Sequence, residues 1–188
     1  MRKMIFLALV IVASASLAVA QTGGGIGIFS DNGGNDCNLW DNVAGLCAYY
    51  IVHKSIPGSI PGATASQFSA PAPACLLAMW LSDTAIFPVT IGNSQAGVAI
   101  GYGGCLPLPL HVLTMNFFCQ GITAPCCLYR VQPDPVIPSG QIEVSDCNFV
   151  IQFGTGLCAI VNPDASCPCW ATPVEETTWG KVKAIYEK

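Results

Sequence analysis

Cysteine is the residue type that most limits how this chain can fold. The sequence has eleven cysteines in 188 residues, and they are spread from position 37 to position 169. At the start of the chain, two bases precede an apolar run at residues 4–12 and a small-residue stretch that ends at Ala20. This three-part pattern is typical of a secretory signal peptide, and export leads to an oxidising compartment. We therefore expect residues 1–20 to be removed and the cysteines to form a disulfide framework.

An odd number of cysteines allows five intramolecular bridges, with one thiol left free or bonded to another molecule. The spacing does not determine which cysteines pair. Paired Cys-x-x-Cys spacing, which is typical of zinc sites, is missing, so the sequence predicts no metal site and no cofactor. The disulfide candidates are Cys37, Cys47, Cys75, Cys105, Cys119, Cys126, Cys127, Cys147, Cys158, Cys167 and Cys169.

The charge of the main body restricts the partners. Residues 21–172 contain two bases, Lys54 and Arg130, against eight acids. Nucleic acids and anionic membranes are bound through lysine and arginine, so this balance argues against both as partners. After signal removal no remaining segment is apolar for the roughly 20 residues that a membrane span needs, so we expect no membrane insertion. A protein or a glycan is the expected kind of partner.

Short β-like runs separated by turn residues fill the body of the chain. One of them, residues 141–145, alternates apolar and polar side chains, as a half-buried strand does. Fourteen prolines argue against long helices. Residues 21–172 are therefore predicted to form one all-β domain, an antiparallel β-sandwich of immunoglobulin-like or cohesin-like type, with a barrel as the second choice. The predicted strands cover residues 46–52, 75–81, 86–91, 97–102, 111–118, 127–131, 141–145, 149–153 and 158–161.

The last segment, residues 173–188, differs from the rest in its high charge. Trp179, Val182 and Tyr186 lie three and four residues apart, with glutamates before them and lysines among and after them. This pattern predicts a short amphipathic helix, since acids near the start and bases near the end suit the helix dipole. The helix either packs on its own sandwich or serves as a tethered docking peptide, and the sequence leaves both open.

Catalytic groups are sparse. The nearest approach to a nucleophile elbow, residues 92–97, has its second glycine one residue too late, so we interpret it as a hairpin turn. His53 and His111 each fall inside a β-like run, where packing or surface roles are commoner than general-base catalysis. The sequence therefore predicts no catalytic residue and no enzyme activity.

One acidic loop has the oxygen groups that calcium prefers. Asp31, Asn35 and Asp36 lie in a glycine-rich segment, but the twelve-position EF-hand pattern is missing. A solvated turn capped by an aspartate side chain is the simpler interpretation. A calcium-stabilised adhesion domain remains an alternative function.

Four segments carry a resemblance to other proteins: residues 62–68 (GATASQF), 97–102 (GVAIGY), 110–114 (LHVLT) and 178–183 (TWGKVK). In these the chain resembles uncharacterised exported bacterial proteins that look like small sandwich modules ending in a Thr-Trp-Gly-x-x-Lys segment. It is more loosely similar in strand rhythm to cohesin-like and immunoglobulin-like modules. The resemblance implies a β-sandwich, and it implies no activity.

These features together favour an exported, non-catalytic binding or structural module of unknown ligand, at the cell surface or in the extracellular space. Trp40, Trp80 and Trp170 could contact a protein or a glycan from loops, although burial in a core is the commoner fate of tryptophan. The alternative from another class is an extracellular carbohydrate-active hydrolase that uses two Asp or Glu residues about 5 to 9 Å apart.

Overall fold

The computed structural model describes residues 21–169. The predicted signal peptide and the predicted C-terminal helix therefore lie outside the described residues. Between residues 21 and 169 the chain contains twelve strands and no helix, which confirms the all-β prediction. The strands are β1 (Gly25–Phe29), β2 (Asn38–Leu39), β3 (Gly45–Lys54), β4 (Gly62–Phe68), β5 (Met79–Ala85), β6 (Val89–Asn93), β7 (Gly97–Pro107), β8 (Leu110–Cys119), β9 (Cys127–Arg130), β10 (Ile142–Asp146), β11 (Ile151–Gly156) and β12 (Cys158–Val161).

Nine strands form one sheet, in the order β5-β8-β3-β1-β11-β10-β4-β7-β6. The sheet bends at the short parallel pairing of β1 with β11, so that a four-stranded half (β5-β8-β3-β1) faces a five-stranded half (β11-β10-β4-β7-β6). Contacts across the interior show this packing: His53 on β3 lies 3.2 Å, Nδ1 to hydroxyl, from Tyr102 on β7. A second sheet, β2-β12-β9, adds buried side chains beside β1. The result is the predicted β-sandwich.

Two pairings depart from the expected antiparallel arrangement. Strand β1 is parallel to β11, and β2 is parallel to β12. Both pairs join strands more than a hundred residues apart in the chain, where no hairpin dictates an antiparallel direction. All other neighbouring strands are antiparallel, and within residues 21–169 no helix is long and apolar enough to cross a membrane.

The glycine-rich start of the domain follows from where β1 lies. All five residues of β1 are buried between β3 and β11. A Cβ added at Gly25 or at Gly27 would come within 2.9 Å of the Leu157 side chain. Small residues therefore let β1 lie at the junction of both sheets.

The core is a single cluster that both sheets share. Tyr129 on β9 is fully buried, lies edge-on to Phe117 with ring centroids 6.4 Å apart, and donates a 2.8 Å hydrogen bond to the Ala70 carbonyl. Because the hydroxyl is satisfied, burying this large ring stabilises the fold without an unpaired polar atom.

Five disulfides connect strands and loops, the number that the odd cysteine count allowed. The bridges are Cys37–Cys169, Cys47–Cys119, Cys75–Cys127, Cys105–Cys147 and Cys126–Cys167. Cys158 is the free cysteine, and it is exposed. Each bridge closes a loop of at least 41 residues, so the loss of chain entropy in the unfolded state stabilises the domain by about 4 kcal/mol for a single bridge.

Candidate functional site

The outer face of the five-stranded half has two neighbouring rows of side chains with the same order of large and small residues. One row runs Val89, Gly101, Ala65, Ser145, Ile151 from β6 to β11. The next row runs Ile91, Ala99, Gln67, Glu143, Phe153 across the same five strands. In both rows the large apolar side chains lie on β6 and β11, the two outer strands of this half, and small or polar residues lie between them.

This arrangement makes a shallow groove that we call the trough. Its rims are Val89 and Ile91 on β6 and Ile151 and Phe153 on β11, and all four side chains are more than half exposed. Five strands spaced about 4.8 Å apart place the rims about 19 Å from each other. The space over the floor is about 170 Å³. Exposed apolar groups arranged in this way around a concave floor are typical of interaction surfaces.

The trough carries one ionisable side chain. Glu143 lies on the floor, is half-buried, and accepts a 2.8 Å hydrogen bond from the Ser139 hydroxyl. None of the other residues that line the trough is charged. A partner surface that fills the trough is therefore expected to be apolar and to place a positive or hydrogen-bonding group opposite this carboxylate.

A second exposed apolar row lies on the outer face of the four-stranded half, at one end. Leu46 on β3, Phe118 on β8 and Met79 on β5 are register neighbours, and all are exposed. The next row along the same strands, Ala48, Asn116 and Ser82, is small and polar. This row is an end patch without a groove, and it provides a matched comparison for the trough.

The residues that resembled a nucleophile elbow form a turn. Ser94 lies in the tight connection between β6 and β7, as predicted, and is completely buried. Its hydroxyl donates to Asp83 Oδ1 at 2.8 Å and its backbone N–H donates to Asp83 Oδ2 at 2.6 Å. Trp80 Nε1 also donates to this carboxylate, at 3.1 Å. Ser94 thus ties the β6–β7 hairpin to the edge strand β5, and its Oγ is engaged by a carboxylate instead of a histidine.

Both histidines are held by local hydrogen bonds. His53 is fully buried, with Nε2 2.7 Å from the Gly23 carbonyl and Nδ1 3.2 Å from the Tyr102 hydroxyl, which donates to Ser66 Oγ at 2.7 Å. Burial lowers the pKa of His53 below its ordinary value, and the hydrogen bond to Gly23 offsets part of this effect. His111 is half-buried, and its Nε2 lies 3.0 Å from the Thr114 hydroxyl.

The loop that was weighed as a calcium site is held by its own backbone. The Asp31 carboxylate accepts hydrogen bonds from the N–H groups of Gly33, Asn35 and Asp36 at 2.8, 2.9 and 2.8 Å. Partial burial tends to raise the pKa of Asp31, but the donors from Asp36, Asn35 and Gly33 outweigh this and lower it. These bonds are those of the aspartate-capped turn that the sequence favoured.

Three buried carboxylates have similar structural roles. Asp41 accepts from the Gly121 N–H at 2.7 Å and from the Thr123 hydroxyl, which joins the β2–β3 loop to the β8–β9 loop. Asp134 accepts from Gln67 Nε2 at 2.8 Å. Asp146 accepts two backbone N–H groups of the β10–β11 turn, at 2.8 and 2.9 Å. Each carboxylate organises a turn, and within residues 21–169 no hydrogen bond joins two of them.

The cysteine clusters are accounted for by the bridges. In the part of the chain that the structure describes, the one group of metal-ligand residue types that converges is Cys126, Asp164 and Cys167. Cys126 and Cys167 are bonded to each other. Asp164 accepts from the Ser166 hydroxyl at 2.6 Å and from its N–H at 2.7 Å. This group is a bridged turn.

Of the tryptophans singled out in the sequence, Trp40 is exposed in the β2–β3 loop and Trp80 is half-buried on β5. Trp170 lies outside the described residues, as do the docking candidates Trp179, Val182 and Tyr186. The trough itself was not found from the sequence. Its signal was the alternation of small with polar residues in residues 62–68, which becomes informative only when the cross-strand register is known.

Comparison with known proteins gives a broad structural likeness only. No protein-family model matches the chain, and no curated protein matches it. Three solved structures with similar strand arrangements are all cohesin modules, which agrees with the looser similarity noted in the sequence. The resemblance to exported bacterial proteins with a Thr-Trp-Gly segment stays a prediction.

The first is the sixth cohesin of scaffoldin B from Acetivibrio cellulolyticus, in complex with a Cel5 dockerin mutant. It is 14% identical to this chain with a TM-score of 0.47, and the match covers 76% of this chain and 100% of that chain. The second is the third ScaB cohesin of R. flavefaciens in complex with a group 1 dockerin, at 11% identity, a TM-score of 0.49 and coverages of 74% and 94%. The third is a cohesin module from a family 33 glycoside hydrolase of Clostridium perfringens, at 7% identity, a TM-score of 0.47 and coverages of 77% and 100%. At these values the likeness carries no inference about partners.

Proposed function

We propose that this chain is an exported, non-catalytic module that binds another protein in the trough. The observation that carries the proposal is the pair of cross-strand rows with exposed apolar rims and a small-residue floor. Removing the rim side chains from water supplies the driving force, at about 25 cal/mol for each Å² of apolar surface buried. The small floor residues let a partner approach the backbone of the central strands.

The partner we propose is a peptide segment or protein surface with large apolar side chains and a lysine or arginine. The base is placed by Glu143, the one charged group of the trough. The domain as a whole is acidic, with two bases and eight acids in residues 21–169. A basic partner is therefore attracted over a distance as well as at contact, and its association rate falls as salt is added.

The buried carboxylates and the buried histidine support a binding role over a hydrolytic one. Asp83, Asp134 and Asp146 accept hydrogen bonds from turns and strand ends. His53 is sealed in the core. General acid–base chemistry needs such groups at the surface of a cleft with free lone pairs or protons.

The proposal is tested with a displayed library of random twelve-residue peptides selected against the immobilised mature protein. We expect the selected sequences to combine large apolar residues with at least one lysine or arginine. Synthetic versions are then titrated against four proteins: the unchanged chain, Ile91→Arg on a rim, Ala99→Arg on the floor, and Leu46→Arg in the end patch. Ile91 is 70% exposed and Leu46 is 81% exposed, so Ile91→Arg on the rim and Leu46→Arg in the end patch change side chains of similar exposure.

Binding that falls at least tenfold with Ile91→Arg and Ala99→Arg but is unchanged with Leu46→Arg supports the trough. A tenfold change corresponds to about 1.4 kcal/mol. Glu143→Gln is expected to weaken the basic peptides and to reduce their salt dependence. Selected peptides without basic residues, or binding that is lost with Leu46→Arg and kept with Ala99→Arg, would contradict the proposal.

Export and domain limits are part of the same proposal. We propose that residues 1–20 are a cleaved signal and that residues 21–172 form the folded unit. The intact mass of the secreted protein is expected to correspond to a chain that begins at Gln21. Alkylation without reduction is expected to add one label, and alkylation after reduction eleven. A retained residue 1–20 segment, or eleven labels without reduction, would overturn this part.

A further inference from the structure

The outer face of the three-stranded sheet has an unusual position, because the described chain ends on it. Cys169 is bonded to Cys37, its N–H donates to Asn38 Oδ1 at 3.2 Å, and its Sγ lies 3.6 Å from the Cys158 carbonyl oxygen. Asn38, on β2, and Cys158, on β12, belong to the sheet β2-β12-β9. Cys169, the last residue that the structure describes, therefore lies directly against this sheet.

The same face combines apolar side chains with an exposed base, Arg130. On β9, Leu128 and Arg130 alternate with buried residues and are exposed. Their cross-strand neighbours on β12 are Ile160 and Cys158. Beyond β9, Leu128 and Arg130 also line a groove of about 350 Å³ whose remaining walls are Gln132 and the Pro71, Ala72 and Pro73 segment.

Arg130 differs in environment from the other base in residues 21–169. Lys54 is half-buried, donates from Nζ to the Gly34 carbonyl and lies 5.2 Å from the centre of the Phe29 ring. Arg130 is exposed at the mouth of the groove. Glu175 and Glu176, at the start of the C-terminal segment, find their exposed complementary charge in Arg130, while the eight acids of residues 21–169 repel these two carboxylates elsewhere.

We propose that residues 174–188 of this chain occupy this face, with Glu175 and Glu176 opposite Arg130 and with Trp179 and Tyr186 against the prolines and Leu128. Six residues of extended chain reach about 20 Å, which spans the two strands from Cys169 to the groove. Because the segment is tethered at Cys169, its effective concentration at this face is in the millimolar range, so a weak intrinsic affinity is enough.

The proposal predicts that the segment covers Cys158. All eleven cysteines lie in residues 21–169, and ten of them are bridged, so Cys158 is the single free thiol of the chain. It is exposed among the described residues and is the register neighbour of Arg130. Its reaction rate therefore reports whether the segment is bound.

The experiment measures the rate at which Cys158 reacts with DTNB, in which the thiolate forms a mixed disulfide and releases one thionitrobenzoate that is read by absorbance. The full mature chain is compared with a chain truncated after Ala171 and with the full-length double variant Trp179→Ala and Tyr186→Ala. We expect both changes to raise the rate at least tenfold. The double variant keeps the test valid if truncation impairs folding, which the melting temperature checks.

Charge is tested by reversal and repair. Protection is the ratio of the rate in the chain truncated after Ala171 to the rate in the full chain of the same variant. Arg130→Glu, and separately the pair Glu175→Lys and Glu176→Lys, are each expected to reduce this ratio toward one. The combination of all three is expected to restore protection. Using the truncated background as reference removes the direct effect of Arg130 on the thiolate of its neighbour Cys158.

Three results would overturn the proposal. Equal rates in the full and truncated chains would mean that the segment does not cover this face. Failure of the reversed charges to restore protection would remove the pairing of Arg130 with the glutamates. Protection that increases with protein concentration would assign the face to the segment of a second copy instead of to the chain's own.

Discussion

His53 is fully buried in the sandwich interior, and the stability of the fold is expected to depend on its protonation. The ring lies between the Gly23 carbonyl and the Tyr102 hydroxyl and has no exposed surface. Adding a proton would place a positive charge among buried apolar side chains. Burial is accordingly the main cause that lowers the pKa of His53 in the folded state.

The sign and size of the effect follow from linkage. An unfolded histidine has a pKa of about 6.5, so below that pH the unfolded chain binds a proton that the folded chain excludes. Stability is then fully present above pH 6.5 and falls as the pH decreases toward the lower folded pKa. At pH 5.5 the loss reaches at most about 1.4 kcal/mol for one proton, if the folded ring is still neutral there.

The assay is urea unfolding of the oxidised mature protein at several values between pH 5 and pH 7.5. His53→Gln keeps a donor for the Gly23 carbonyl and removes the titration, so its stability is expected to change less over this range than that of the unchanged chain. His111→Gln is the control, because burial also lowers the pKa of His111 but that ring is only half-buried. Identical pH profiles for the unchanged chain and His53→Gln would refute the reasoning.

Three further outcomes are expected. Replacing Cys105 and Cys147 together by serine opens a bridge with a sequence separation of 42 and is expected to reduce the free energy of unfolding by about 4 kcal/mol in urea titration; a loss below about 1 kcal/mol would contradict it. Gly156→Ala would place a Cβ on the carbonyl oxygen of Val131, whereas Gly104→Ala meets nothing within 4 Å, so the first is expected to lower stability by about 1–3 kcal/mol and the second to leave it within about 0.5 kcal/mol. Calcium is expected to leave the melting temperature unchanged, because the carboxylate that organises the β1–β2 loop already accepts three backbone N–H groups; a metal-dependent rise would restore the adhesion-domain alternative.

Most strands could be predicted because their side chains alternate or because turn residues bound them. The prediction for residues 158–161 matches β12 at both ends, and the one for residues 111–118 differs from β8 by one residue at each end. The predicted strand at 75–81 begins four residues too early, since Cys75 lies in the loop before β5 and is bridged to Cys127. Sequence alone contains no record of which partner a cysteine has, so it could not show that this loop is held by sulfur.

Strand β4 was missed, and it is the central strand of the trough. Its sequence, GATASQF, has low hydrophobicity, since Ser66 faces a partly polar interior, where it accepts the hydrogen bond of Tyr102, and Ala65 and Gln67 form the outer floor. Propensity rules favour large branched residues in strands, so a strand selected for small size is not detected. For the same reason the trough could not be found before the register of β4 with β7 and β10 was known.

The proposed use of the trough is tested most directly by nuclear magnetic resonance. A library-selected peptide is titrated into the mature protein labelled with ¹⁵N, and the backbone amide shifts are followed residue by residue. We predict that the largest changes fall on Ala65, Ala99 and Gly101 and that the amides of the end patch at Leu46 and Phe118 remain unchanged. Shifts confined to the end patch, with none on the central strands of the five-stranded half, would contradict the account.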